Sequence, residues 1–291
     1  MAVLVDQDTR VVIQGVTGRL GRFVLKDLLA YGTHVVAGVS LGHGGEVLEG
    51  VPVFESVAEA VSCAGANTAL IMVAGYRGYE AVLEAAAAGI RLAVWVSDPV
   101  PLHDMMRLRW SLPAGFRLVG PNTPGVISPG KSKVGFMPSH CYRPGPVGVI
   151  SRSGSLSYEV CLRLSTVGIG QSTAVGVGGD PIKGLDMVEV LSLFDSDPET
   201  RVILVLGEVG GRDEYRVADA VREGRVSKPV VGFLVGREAP AGRKLGHAGA
   251  FISSDEEGYW PKLRYLEASG VKVVRSLRDI SGEVRGLLNG T

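Results

Sequence analysis

Of the chain's five histidines, only His247 stands between glycines in a run of small residues, Lys244-Leu245-Gly246-His247-Ala248-Gly249-Ala250. Small neighbours leave room for groups larger than water to approach an imidazole from several sides. A neutral imidazole is a nucleophile near pH 7, and a carboxylate beside it fixes its tautomer and raises its basicity. The other reading of this stretch is a tight turn that holds a solvated histidine; Glu208 is a candidate for such a carboxylate. It lies in Gly207-Glu208-Val209-Gly210-Gly211, at the C-terminal end of an apolar strand, where ligands of open α/β sheets collect. The rest of the chain supplies several phosphate-friendly loops and no other good nucleophile.

The first of those loops is Gly15-Val16-Thr17-Gly18-Arg19-Leu20-Gly21. Glycines after a first strand let the backbone approach a phosphate at a helix N-terminus, where free N–H groups and the dipole favour anions. The spacing is Gly-x-x-Gly-x-x-Gly, and the second strand ends Gly38-Val39-Ser40 without the acidic residue that a dinucleotide ribose requires. Nicotinamide cofactors are therefore disfavoured, and another phosphate-bearing ligand is not. His43, in Gly42-His43-Gly44-Gly45, admits two readings, a phosphate or nucleotide contact and a solvated loop residue. Ser151-Arg152-Ser153-Gly154-Ser155 follows a strand and opens a helix. Its serines and free first turn suit either an anion cradle or simple capping. The Gly-x-Ser-x-Gly elbow of a serine nucleophile is absent. Asp180, in Gly178-Gly179-Asp180-Pro181, reads as a turn former.

The elements that must carry these loops alternate between short apolar strands and helices. Strands are expected at 11–15, 34–39, 70–73 and 92–96, with helices through 23–29 and 79–88, which describes a doubly wound parallel sheet ending near Gly120. A Pro- and Gly-rich connection through Gly145 follows. Alternation then resumes, with strands at 147–150, 173–177, 202–206, 230–235 and 271–274, and helices at 155–164, 185–194, 214–222, 262–268 and from Asp279. A length of 291 residues suits two such domains. Thirty basic residues balance thirty acidic ones with no basic cluster, which argues against nucleic acid as a partner. Neither a membrane span nor a secretory signal is evident, and the chain is expected to be cytoplasmic. Cys63, Cys141 and Cys161 are too few and scattered for a disulfide framework or a Cys-based metal site, and no metal ligands are expected on this chain.

Taken in order, these loops resemble the α subunit of succinyl-CoA synthetase across nearly the whole chain. The matching stretches are Gln14 to Gly18, Tyr31 to Thr33, Gly120 to Asn122, Ser151 to Glu159, Gly178 to Ile182, Gly207 to Gly211 and Gly246 to Ala250. The resemblance implies a CoA-binding Rossmann-like domain over 1–122 and a flavodoxin-like α/β domain over 123–291 that carries a phosphohistidine loop. It implies that His247 is transiently phosphorylated, with Glu208 as its partner and Ser153, Gly154 and Ser155 binding phosphate. CoA falls on Thr17, Gly18, Arg19, Leu20, His43, Val96, Ser97 and Asp98. Tyr158, Asn122 and Thr123 fall on the substrate side. ATP or GTP with Mg²⁺ would sit on a separate ATP-grasp β subunit, and the substrate would be a small dicarboxylate. The sister readings are a ligase for malate or citrate and a CoA-binding protein without catalysis. The chain differs from the family pattern at Leu41–Gly45, Val73–Tyr76, Asn122–Gly125, Asp98–Pro99 and Ser253–Trp260. In the last of these, Asp255-Glu256-Glu257 stands where glycines are usual, placing like charge near a phosphate.

Overall fold

The structure, a computed structural model, describes residues 2–242 and 246–290, so Lys244 and Leu245 at the head of the His247 stretch lie outside it. The first sheet comprises β1 (Arg10–Gln14), β2 (His34–Val39), β3 (Val47–Leu48), β4 (Val51–Phe54), β5 (Thr68–Ile71), β6 (Leu92–Trp95) and β7 (Arg117–Val119). Their spatial order is β3-β4-β2-β1-β5-β6-β7. Pairing is parallel throughout except in the short β3–β4 hairpin. Helices α1 (Arg19–Tyr31), α2 (Val57–Ala64), α3 (Gly78–Ala87) and α4 (Leu102–Ser111) make the connections. Chain order reverses at β1, with β2 and β4 to one side and β5 to β7 to the other. A crevice therefore opens at the C-terminal ends of β1 and β5.

The second sheet holds β8 (Gly125–Ser128), β9 (Ser132–Gly135), β10 (Pro144–Ser151), β11 (Gln171–Gly176), β12 (Val202–Glu208), β13 (Val230–Val235) and β14 (Lys272–Val274). Its order is β14-β13-β12-β10-β11-β8-β9. Helices α5 (Gly154–Thr166), α6 (Met187–Ser196), α7 (Asp213–Arg222), α8 (Tyr259–Ala268) and α9 (Ile280–Gly290) accompany it. The parallel core β11-β10-β12-β13-β14 reverses between β10 and β12, so its crevice lies where Ser151 and Glu208 end their strands.

One sequence expectation needs correction. The stretch after Gly120, read as a turn-rich connection, contains the β8–β9 hairpin, which pairs antiparallel with β11 and extends the second sheet. Its glycines and prolines read as loop, yet Val126, Ile127 and Val134 between them are fully buried and complete an edge. Also unread were β3, β4 and α2, and α4 with β7. Helix α4 buries only Met105 and Leu108 while Leu102, Met106 and Trp110 are exposed, so its periodicity was weak.

Helix α1 buries Gly21, Val24, Leu25 and Leu28, the one-face spacing of an amphipathic helix. Its far end clasps the second sheet. Thr33 exchanges two hydrogen bonds with the backbone of Lys133, and Tyr31 Oη accepts one from the Gly130 N–H. The fully buried Lys133 ammonium donates to Asp27 at 2.6 Å and to the Met137 carbonyl at 3.1 Å. A charge placed so deep needs such partners. At the near end Gly21 sits hard against the first turn: a Cβ there would lie 2.3 Å from the Gly15 carbonyl oxygen and 2.9 Å from Val16 Cα. Both neighbours are backbone and cannot swing aside. Gly21→Ala is therefore expected to cost about 1–3 kcal/mol of stability, as overpacking does, and urea unfolding at an unchanged midpoint would contradict this packing.

Candidate functional site

Two crevices carry the residues singled out by the sequence. In the first sheet the turn after β1 leads straight into α1. Gly15 there has φ +82°, which glycine adopts without strain, and a Cβ would press on the Met72 backbone at 3.2 Å. Gly18 occupies the cap position with no side-chain hydrogen bond, so the first-turn N–H groups remain uncommitted to any cap. Thr17 Oγ1 bonds Ser40 Oγ at 2.6 Å, and Arg22 Nε donates to the Thr17 carbonyl, which shapes the turn. Arg19 is exposed at the helix start.

Beside this turn lies a cleft of about 810 Å³ lined by Leu20, Tyr76, Val96, Ser97, Asp98 and Phe136, among others. Phe136 comes from the residue after β9, so both sheets wall the cleft. Its size suits a long, partly apolar ligand, and the α1 N-terminus supplies an anion site at one end. These features fit CoA. His43 lies apart from the residues lining the cleft and bonds Glu46 at 2.7 Å through Nδ1. The flanking Gly42 and Gly44 N–H groups both donate to Glu55, which holds that carboxyl below its ordinary range.

In the second sheet His247 Nδ1 lies 3.1 and 3.0 Å from the two Glu208 carboxylate oxygens. Glu208 is the last residue of β12 and is almost wholly buried. The imidazole is partly exposed. Gly179 makes the approach possible, since a Cβ there would lie 2.4 Å from His247 Cγ. The loop is tied down where the Gly249 N–H donates to the Gly179 carbonyl at 2.9 Å and the Ala250 N–H donates to the His247 carbonyl. With Nδ1–H directed at the carboxylate, Nε2 keeps its lone pair for chemistry.

Arg152, between β10 and α5, reaches across the switch point to Glu208 at 3.1 Å and donates to the Gly249 carbonyl at 3.0 Å. It precedes the α5 start, where Ser153 caps Leu156 and the N–H groups of Gly154 and Ser155 have no intrahelical acceptor. Tyr158, one turn on, would touch a Cβ at Gly154 through Oη, and burial pushes its hydroxyl up to about 12. Asn122 joins the two crevices. Its N–H donates to the Ser97 carbonyl at 3.1 Å, and its side chain donates to Asp180 at 2.9 Å. Burial raises the Asp180 carboxyl. Thr123 is buried, and its hydroxyl serves the Gly176 carbonyl and the Gly125 N–H instead of facing solvent.

Two of the three acidic residues after the loop are engaged by partners of their own, and Asp255 is exposed. Glu257 accepts from the Ser253 N–H and hydroxyl at 2.7 and 2.6 Å, while Glu256 pairs with the exposed Arg212. Sequence reasoning missed Arg152, Glu214, Lys262 and the bridging part of Asp180. An arginine two residues past the apolar run Val147–Ile150 was the one legible signal.

The Glu208 hydrogen bond holds the His247 imidazole above its ordinary value of 6.5, with burial opposing it and Arg152 and Asp180 acting in opposite senses. A raised folded value stabilises the protein fully below pH 6.5, and that contribution is lost as pH rises through the folded pKa. Proton NMR of the His247 ring should give a midpoint above 6.5, and Glu208→Gln should bring it down; a wild-type midpoint at or below 6.5 would contradict this geometry.

Residues 6–98 match the CoA binding domain family, and residues 150–258 match the CoA-ligase family. Succinate–CoA ligase [ADP-forming] subunit alpha 2 of Archaeoglobus fulgidus is 46% identical over 289 residues, covering 99% of this chain and 100% of the relative. Malate–CoA ligase subunit alpha of Methylorubrum extorquens is 45% identical over 278 residues, 94% of each chain. Among solved structures, ATP citrate lyase of Methanothrix soehngenii in complex with citrate and coenzyme A shares the fold, with a TM-score of 0.89 at 24% identity. That match covers 99% of this chain and 51% of that one.

Proposed function

The chain belongs to the succinate–CoA ligase alpha-subunit family and is an acyl-CoA-forming ligase subunit, and from this we propose a mechanism in which His247 carries phosphate between a nucleotide and a dicarboxylate. The observation that carries the reading is the imidazole held through Nδ1 at 3.0 Å by a buried carboxylate, with no hydrogen bond to Nε2 among the described residues. His247 Nε2 attacks the γ-phosphorus of ATP or GTP, and the nucleoside diphosphate leaves. Glu208 keeps the Nδ1 proton in place and balances the cationic character of the ring as the N–P bond forms. The phosphoryl group then passes to a substrate carboxylate oxygen and the imidazole returns to neutral. The CoA thiolate attacks the resulting acyl phosphate, forming the thioester and releasing inorganic phosphate.

The first turn of α5, Ser153 to Ser155, is suited to receive the phosphoryl oxygens through backbone N–H groups. Thr17 to Leu20 and the strand end Val96 to Asp98 hold CoA, with its phosphates at the α1 N-terminus. His43, outside the main cleft, contacts the far end of the same ligand. Asn122 and Tyr158 face the acid, and Thr123 ties the chain after Asn122 to the end of β11 through the Gly176 carbonyl. No stretch of the chain resembles a Walker A loop or an ATP-grasp domain, so nucleotide and Mg²⁺ are assigned to an ATP-grasp β subunit. The work is placed in the cytoplasm. Succinate is the acid named for the archaeal relative, and malate is the second reading because the malate-named relative is 45% against 46% identical. A CoA-binding protein without catalysis would have no use for the oriented imidazole.

Two experiments test this. Incubation with the β subunit and labelled nucleotide should give acid-labile, base-stable phosphate at His247, and none with the chain alone. His247→Asn should abolish labelling and turnover while leaving CoA affinity nearly unchanged. Thioester synthesis without any labelled histidine would end the phosphohistidine reading. For CoA, Gly18 is the diagnostic position: its φ is −64°, and a Cβ would meet only the Gly15 carbonyl at 3.3 Å. Gly18→Val is therefore expected to fold and yet weaken CoA binding at least about tenfold, by blocking close approach of phosphate to the backbone. Calorimetry that finds wild-type CoA affinity in this variant would remove CoA from the α1 start.

A further inference from the structure

Behind Glu208 lie three charged side chains to which the proposed chemistry gives no step: Arg152, Glu214 on α7 and Lys262 on α8. The Glu214 and Lys262 side chains are 0% exposed and that of Arg152 is 2% exposed. Arg152 divides its guanidinium, giving one nitrogen to Glu214 at 3.2 Å and the other to Glu208 at 3.1 Å. Glu214 is in turn met by Lys262 at 2.5 Å and accepts the backbone N–H of Glu208 at 3.1 Å. Lys262 also donates to the carbonyls of Glu208 and Gly210, at 3.0 and 2.7 Å. From the imidazole inward the charges alternate: Glu208, Arg152, Glu214, Lys262.

A buried network of this kind is poor evidence of stabilisation, because apolar residues of similar volume commonly serve as well or better. Arg152 even leaves its buried Nε without a partner among the described residues. What the network controls is the allegiance of one guanidinium. We propose that Glu214 and Lys262 are positioning residues that set, through Arg152, how tightly Glu208 is held to His247. Burial alone would raise the Glu214 carboxyl, but Lys262 and Arg152 hold it at about 2, so it stays charged throughout the working range. Removing its charge leaves Glu208 as the one carboxylate directly paired with Arg152 among the described residues and draws it off the imidazole. Removing Lys262 does the reverse, since Glu214 then claims more of Arg152 and releases Glu208 to His247.

Among the described residues the charged groups acting on His247 are Glu208, Arg152 and Asp180, and the first two belong to this network. This inference rests on the reading of His247 as phosphate carrier, but its first measurement does not. In the full-length chain, the His247 ring is titrated by NMR in wild type, Glu214→Gln, Lys262→Met and Lys262→Arg. Glu214→Gln should lower the midpoint and Lys262→Met should raise it, each by on the order of half a unit or more. Lys262→Arg should restore the wild-type value. With the β subunit, phosphorylation of His247 should slow about tenfold in Glu214→Gln, as when an outer partner of a site residue is lost, with the KM for CoA unchanged. Midpoints that stay fixed, or move the same way in both variants, overturn the proposal. If Glu214→Gln fails to fold, Lys262→Met against Lys262→Arg decides it. Midpoints that move as expected in a protein that never labels at His247 would uphold this network and overturn the carrier reading instead.

Discussion

One guanidinium shared between two carboxylates holds this site together. Arg152 emerges from the end of β10 and binds Glu208 at the end of β12, Glu214 on α7, and the carbonyls of Gly210 and Gly249. Five donors in a rigid fork can serve that many acceptors at once, which an ammonium group on a flexible stem does less well. The consequence is geometric. The strand end bearing the carboxylate and the loop bearing the imidazole are fastened to the same planar group, so their separation is set within the protein interior and not by a surface loop.

The placement of that group follows from topology. In a doubly wound sheet the helices on either side of the reversal diverge and leave a crevice at the strand ends. This chain contains two such reversals, at β1 between β2 and β5, and between β10 and β12. Each is lined by a glycine turn that lets the backbone come close to a ligand. Asn122, with φ +55°, lies between them and bonds to Ser97 on one side and Asp180 on the other. Asp180 follows Gly179, which packs against the His247 ring. A thiol at the first crevice and an acyl phosphate at the second would thus meet over a short, hydrogen-bonded span, which is what the proposed chemistry requires.

Around this centre the departures from the family pattern find internal partners. The glycines beside His43 give their N–H groups to Glu55, and Glu257 and Glu256 after the His247 loop bond Ser253 and Arg212. Carboxylates engaged in this way bring less repulsion to an arriving phosphate than their sequence positions alone suggest.

The sequence by itself determined the two α/β halves, most of their central strands, and the pairing of His247 with Glu208 as a candidate. Continuous apolar strands and glycine turns are local signals, and the chemistry of an imidazole in a small-residue loop is legible from residue type. It could not show the β8–β9 hairpin, whose short strands lie among glycines and prolines and are held by pairing with β11, where Val126 meets Val175 and Ile127 meets Ala174. Nor could it show that Arg152, Glu214 and Lys262 are buried together. Singly each reads as an ordinary charged residue on a loop or helix. Their burial is possible only because three elements distant in sequence converge and satisfy one another's charges, and that convergence is a property of the tertiary fold.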